Sequence, residues 1–290
     1  MTTLNRIFDS RAVRLRRQRA SRIADDGALF VHKAAAQNLV ERRNDIPRDF
    51  NRIAIIGGRG LLNAETLRAD EAVMLDSAEG LLAGEGCLSD VDLLPLKDGA
   101  FDAIFSLLTL HTANDLPGAL IQINRALKPD GVFIGALFSI GTLETLRQAF
   151  LVAESETGGG ASPRVAPFVD VRDAGGLLQR AGFAMPVADS EEIAVRYSDP
   201  MRLVQDLRAM GETNTLDARD RRFLRRDTFA QVLTALGQSV DDEGKIPVSF
   251  HITYVTGWAP GPGQPKPLPP GSAKTRLADA LGTAEVALKR

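Results

Sequence analysis

The feature that most constrains the fold is a short apolar run that stops on glycine: Arg52-Ile53-Ala54-Ile55-Ile56, then Gly57-Gly58-Arg59-Gly60. A run that is apolar at successive positions, not alternate ones, suits a strand covered on both faces. That is the situation of a parallel sheet with helices on either side. Glycines at its end let the backbone turn tightly and approach a ligand, and the N–H groups beyond the turn are free to bind one. In doubly wound sheets ligands lie at the carboxyl ends of the strands. Gly57, Gly58 and Gly60 are therefore candidate cofactor-binding residues.

The rest of the chain repeats the strand–helix alternation. Ala72-Val73-Met74-Leu75 ends at Asp76, and Phe101 to Ser106 is a third strand. A helical pattern covers Leu116 to Leu127. Lys128-Pro129-Asp130-Gly131 reads as a turn, and Val132 to Phe138 is a fully apolar strand. Such alternation predicts βαβ units and a parallel sheet. Further helices are expected over Leu143 to Glu154 and Asp173 to Arg180. Others are expected around Leu203 to Met210 and Phe229 to Leu236. Val248 to Tyr254 alternates with period two, as a strand with one face in the core. We divide the chain into a helical segment over 1–50, an α/β domain over 51–259 with a helical insert at about 199–240, and a proline-rich, flexible tail over 260–290.

Composition excludes several classes. The net charge is −2, with no global basic excess to suggest nucleic acid. The single cysteine, Cys87, allows no intrachain disulfide. Three histidines and one thiol, with no metal-ligand spacing, leave no metal site to propose. No apolar run is long enough to span a bilayer, so the chain is not expected to be an integral membrane protein. The arginine-rich stretch Arg11 to Arg19 reads as a solvated basic helix face, or else as a presequence or phosphate-binding arm.

Two acids belong with the glycine turn. Asp76, at the end of the second strand, is placed to accept hydrogen bonds from both ribose hydroxyls. Asp90, before Leu93-Leu94-Pro95-Leu96, is placed to meet an adenine amino group. Each could equally be a surface acid. His111 is a weak candidate general base because its ordinary pKa suits that work, with a structural role as the alternative. Met210, Glu212 and Asn214 lie in the insert, where a ligand or substrate would be covered, and packing or capping is their simpler role. The acids Glu154, Glu156, Asp170, Asp173, Glu191 and Glu192 could attract an arginine on a partner, but solvated faces explain them too.

The succession of glycine turn, Asp76, Asp90, Leu94-Pro95-Leu96, Phe101-Asp102-Ala103-Ile104 and Leu127-Lys128-Pro129-Asp130-Gly131 resembles the class I S-adenosylmethionine (SAM) methyltransferases over about residues 50–140. Gly141-Thr142-Leu143-Glu144-Thr145-Leu146-Arg147, Ser162 to Phe168, Leu207 to Asn214 and Thr256-Gly257-Trp258 are similar to the complex I assembly factor 5 family, in its alphaproteobacterial form. The resemblance implies a seven-stranded, mostly parallel, Rossmann-like sheet with helices on both faces and a helical insert before the last strand. It implies SAM as cofactor, held by Gly57, Gly58, Gly60, Asp76, Asp90 and Leu107. It further implies a protein partner, a subunit of the quinone-reducing arm of complex I, modified on an arginine as by an arginine hydroxylase. Family sequences that start near Phe8 suggest a bacterial cytoplasm, with the mitochondrial matrix as the alternative.

This chain departs from the superfamily's strand-one motif. Ala54 stands at the acidic position and Ile56 at the first glycine, and Thr112 replaces an aromatic after His111. Each of the first two losses can weaken SAM by about 1–3 kcal/mol. Two alternatives therefore stay open. One is a methyltransferase acting on a small carboxylic acid or an acyl carrier protein, for which Arg221, Arg222, Arg225 and Arg226 offer a basic patch. The other is a non-enzymatic assembly factor with a degenerate SAM site. A nicotinamide dehydrogenase accounts for the glycine turn but for none of the later motifs.

Overall fold

The computed structural model describes residues 6–82, 86–156, 160–264, 272 and 275–283. Among these, seven strands form one sheet in the order β3-β2-β1-β4-β5-β7-β6. The strands are β1 (Phe50–Ile56), β2 (Ala69–Asp76), β3 (Gly86–Leu88), β4 (Phe101–Leu107), β5 (Leu127–Phe138), β6 (Ala184–Tyr197) and β7 (Ile246–Trp258). β1 to β5 run parallel, and β7 is inserted antiparallel between β5 and β6. Strand order reverses at β1, between β2 and β4, so the crevice above β1 and β4 is where this topology admits a ligand.

Alternation along β1 builds both layers. Ile53 and Ile55 join one core with α2 (Phe30–Asn44), α4 (Glu144–Glu156), α6 (Pro200–Met210) and α7 (Arg226–Gln238). Ala54 and Ile56 join the other, with α3 (Leu116–Ala126) and α5 (Val171–Arg180). Ile56, which stands at the motif's first glycine, is 1% exposed and packs in the α3–α5 layer, because a strand turns successive side chains to opposite faces.

Two other expectations change. Residues 128–131 do not form a separate turn: they continue β5, with a register shift against β4 and the positive φ carried by Asp130 (64°), not by Gly131. β6, unmarked in the sequence, pairs with β7 from Ala184 to Tyr197. Within the proline-rich tail the described residues include a short helix, α8 (Leu277–Leu281), and residues 265–271, 273–274 and 284–290 lie outside them. No helix among the described residues is long and apolar enough to cross a membrane.

The N-terminal helix α1 (Ser10–Ile23) closes the crevice from above. Its approach is tied on both sides. The Ile7 and Phe8 amides donate to Asn114 Oδ1, beyond β4. Phe8 bridges to Leu216 in the insert, and Asp9 pairs with Arg219. Asp9 also caps the helix by accepting from the Ala12 amide, so one carboxylate both starts α1 and anchors it.

Candidate functional site

At the glycine bend, Gly57 and Gly60 have φ of 75° and 76°, the left-handed conformation that favours glycine. A β-carbon on Gly57 would stand 1.9 Å from Thr109 Oγ1 and 2.8 Å from the Leu107 carbonyl oxygen. The bend is therefore packed against the end of β4. Gly58 lies over Ile55 and Met74. Leu107 turns its side chain into the core and leaves only its carbonyl near the bend, where it accepts from Thr109 Oγ1.

Asp76 is at the end of β2, as the sequence predicts, and is 3% exposed. Its carboxylate is already engaged. Arg17 Nε donates to Oδ1 at 3.1 Å and Nη2 to Oδ2 at 2.9 Å, while the Ala78 amide also donates to Oδ1. This forked pair is the geometry in which arginine binds a carboxylate most strongly. Burial would raise the Asp76 pKa. The charge and hydrogen bonds of Arg17 outweigh it, with lesser help from Arg59 and the Ala78 amide, and hold the group below the usual carboxylate range. Asp90 is exposed and bounds a separate cavity of about 340 Å³ with Ser10, Arg11, Arg14, Ser77, Leu88 and Ser89.

A second buried pair of charges lies alongside. Arg59, next to the glycines, is drawn inward and donates to the Met210 carbonyl. Burial, then the neighbouring Arg17, lower its pKa to about 10 against the pull of Glu212 and Asp76. Glu212, just past α6, receives a hydrogen bond at 3.1 Å from His111 Nε2. Its Oε1 stands 4.0 Å from Arg59 Nη2 and 4.0 Å from His32 Nε2, beyond hydrogen-bond reach. Burial pushes its carboxyl up, but the charge and hydrogen bond of His111, with Arg17 and Arg59, hold it below the usual value. His32 is fully buried and held neutral, first by burial and then by Arg59, Arg17 and His111. Two guanidinium groups and two carboxylates thus balance one another inside the fold, as buried charges must.

Glu212 and His111 also face outward, onto a cavity of about 590 Å³ between the sheet and the insert. Its inner wall is aromatic. The His111 ring lies 4.9 Å from Phe138 and 5.9 Å from Phe168, and Phe138 lies 6.1 Å from both Phe168 and Phe250. Arg16, Arg19, Arg208 and Arg219 stand on its lining. Chemically the lining joins one carboxylate to aromatic rings, groups that can receive a planar cation, and sets arginines beside them.

The structure therefore separates the sequence-predicted residues. The glycines, Asp76 and Leu107 converge on the crevice, Asp90 bounds the neighbouring cavity, and His111 belongs to the larger pocket. The acids Glu154, Asp170, Glu191 and Glu192 do not gather there: Glu154 pairs with Arg164, Asp170 caps α5, Glu191 accepts from Tyr254 and Glu192 from Ser249. Arg17 and Arg59 were not anticipated as site residues. The available signal for Arg17 was its i, i+4 and i, i+3 spacing to the buried Val13 and Ala20.

Residues 63–135 match the family described as a methyltransferase domain. The chain is 38% identical to human "Arginine-hydroxylase NDUFAF5, mitochondrial" over 290 aligned positions, which cover 96% of this chain and 84% of the human protein. It is 29% identical to the malonyl-[acyl-carrier protein] O-methyltransferase of Gallionella capsiferriformans, covering 88% of this chain and 93% of that protein. The crystal structure of the YcgJ protein from Bacillus subtilis superposes with a TM-score of 0.52 at 15% identity, over 77% of this chain and 98% of that one, a likeness of fold.

Proposed function

The chain belongs to the NDUFAF5 family of the SAM-dependent methyltransferase superfamily, and from that premise we propose that it modifies an arginine side chain of a protein partner, held in the aromatic pocket over Glu212. The observation that carries this reading is the pocket lining. Glu212 Oε1 makes no hydrogen bond among the described residues, standing 4.0 Å from Arg59 and from His32, and Glu212 shares the lining with His111, Phe138 and Phe168. A guanidinium entering there gains a charge-assisted hydrogen bond and ring contact together. His111 fixes Glu212 from the side through its Nε2. By family likeness the partner is a subunit of the quinone-reducing arm of complex I. The compartment is the bacterial cytoplasm, with the matrix as the alternative.

The cavity beside Asp90 and Ser77 offers room for the base of SAM, and Asp76, at the end of β2, is the carboxylate that would hold the ribose. For the ribose to be held, Arg17 must release the Asp76 carboxylate. SAM, when bound, supplies an electrophilic methyl group. The chain's own residues orient the ligand through Asp76 and the Gly57–Gly60 bend.

Methyl-ester formation on an acyl carrier has the arginines of the pocket mouth in its favour. It would, however, place a substrate carboxylate against Glu212, which is held ionised, and like charges in a buried site oppose binding. The test is mass spectrometry of the quinone-arm subunit from cells lacking this chain. One arginine is expected to lose its modification on deletion and to stay unmodified when Glu212→Gln replaces the native chain. An arginine mass unchanged by the deletion would overturn the reading.

A further inference from the structure

A site for a guanidinium has no evident use for a cationic entrance, yet the pocket mouth is rich in arginine. Arg16 and Arg19 extend from α1, Arg208 from α6 and Arg219 from the following loop, and all four line the cavity. Arg219 is paired with Asp9, but among the described residues no ion pair engages Arg16, Arg19 or Arg208. Arg16 is half-buried, and its Nε is buried without a hydrogen-bond partner. Burial first, then the charges of Arg19, Arg219 and Arg208, lower its pKa, as expected for cations crowded together with too little counter-charge. On the same rim Phe223 is fully exposed, between Arg222 and Leu224. A large aromatic open to water among arginines has the composition of a binding hot spot, and nothing among the described residues covers it.

We propose that this rim docks the stretch of the partner that carries the substrate arginine, and that this stretch bears acidic side chains beside the arginine. The proposal rests on the reading of the pocket as an arginine site. A cationic side chain alone would be repelled at the mouth before it reached Glu212. Carboxylates flanking it reverse the sign of the encounter, pair with Arg16, Arg19 and Arg208, and fix the register in which one arginine enters. Phe223 then covers an apolar part of the same stretch. The rim thereby acts as a selectivity device: arginines in basic or neutral surroundings are refused.

Fluorescence anisotropy with labelled synthetic peptides tests this on the full chain. The peptides carry one central arginine flanked by aspartates, by asparagines or by lysines, and a control replaces the arginine with alanine. The aspartate-flanked peptide is expected to bind at least about tenfold tighter than the asparagine-flanked one at low salt, with the lysine-flanked one weakest. In an Arg16→Glu, Arg208→Glu variant, whose fold is checked by circular dichroism, the order of the aspartate and lysine peptides should reverse. Equal binding of the aspartate and asparagine peptides to the native chain overturns the proposal, whatever the variant does. If the flanks are silent but the alanine control fails to bind, the arginine pocket stands and the rim inference falls. If the flanks matter but the alanine control binds as well as its parent, the acidic docking surface stands and the arginine pocket falls.

Discussion

The crevice over the sheet has two unlike halves. Above β1 and β2 the carboxylate that ends β2, Asp76, is buried and taken up by Arg17 of α1. Above β4, β5 and β7, a cavity of about 590 Å³ stands open with the Glu212 carboxylate on its lining. The first half is satisfied internally, and in the second neither Glu212 Oε1, 4.0 Å from Arg59, nor Arg16 Nε has a hydrogen-bond partner among the described residues. The contrast teaches that one fold can hold the same kind of group, a carboxylate at a strand or helix end, as a structural ion pair or as a receptor. What decides is whether a neighbouring segment brings a donor within hydrogen-bond reach of both carboxylate oxygens. Here α1 does so for Asp76, with the Ala78 amide, whereas at Glu212 His111 engages Oε2 and leaves Oε1 4.0 Å from Arg59.

The sharpest way to break this comparison is to remove the carboxylate from the satisfied half. Asp76→Ala would leave Arg17, 2% exposed, as an uncompensated buried cation. The expected loss is about 3–5 kcal/mol of unfolding free energy in urea titration, and replacing both partners (Arg17→Met with Asp76→Leu) should restore most of it. A loss below about 1 kcal/mol for Asp76→Ala would mean that Arg17 finds water easily and that the half is not closed.

A milder perturbation asks whether the closed half is still a ligand site. Arg17→Met removes the internal competitor and leaves Asp76 for a ribose diol. Calorimetric titration with S-adenosylhomocysteine should then show a dissociation constant about tenfold lower than in the native chain, because less of the protein is held in the occupied state. An unchanged or higher constant would assign Asp76 to stability alone. Together with no ligand-dependent rise in the unfolding midpoint of the native chain, it would favour a scaffold without a cofactor.

How far the sequence disclosed these halves follows from the range of the forces involved. β1, β4 and β5 were legible because burial on both faces demands unbroken apolar runs. β6 was not. It is an edge strand, half exposed and with one buried residue, Tyr197, in which Asp189, Ser190, Glu191 and Glu192 interrupt any alternation, and its existence depends on pairing with β7. Asp76 was legible because it ends an apolar run. Its partner was not, since Arg17 lies fifty-nine residues away among other arginines that do face water. Within α1 only the helical period separates Arg17, beside the buried Val13 and Ala20, from exposed Arg14. Glu212 could be placed in the insert from sequence. Its place on one lining with three rings required the fold to bring together His111, Phe138 and Phe168, which are far apart along the chain.

The smallest expected effect probes the boundary between the halves, where His32 faces both. Its ring is fully buried, and neither nitrogen has a hydrogen-bond partner among the described residues. Burial, with the charges of Arg59, Arg17 and His111, holds its pKa well below the ordinary 6.5, so it is neutral in the folded chain. The sign follows from proton counting. Below about pH 6.5 the unfolded chain binds a proton at this position and the folded chain does not, so stability falls as pH drops through that region and is unaffected above it. The carboxylates with lowered values, Asp76 and Glu212, act only further down, near and below their ordinary 3.8 and 4.5. Urea midpoints measured between about pH 7.5 and about pH 5 should therefore decline in the native chain and decline less in His32→Leu. Equal slopes would show that His32 is protonated in place, with Glu212 Oε1, 4.0 Å away, as its counter-charge. The floor of the open half would then already be satisfied, and the difference between the two halves would disappear.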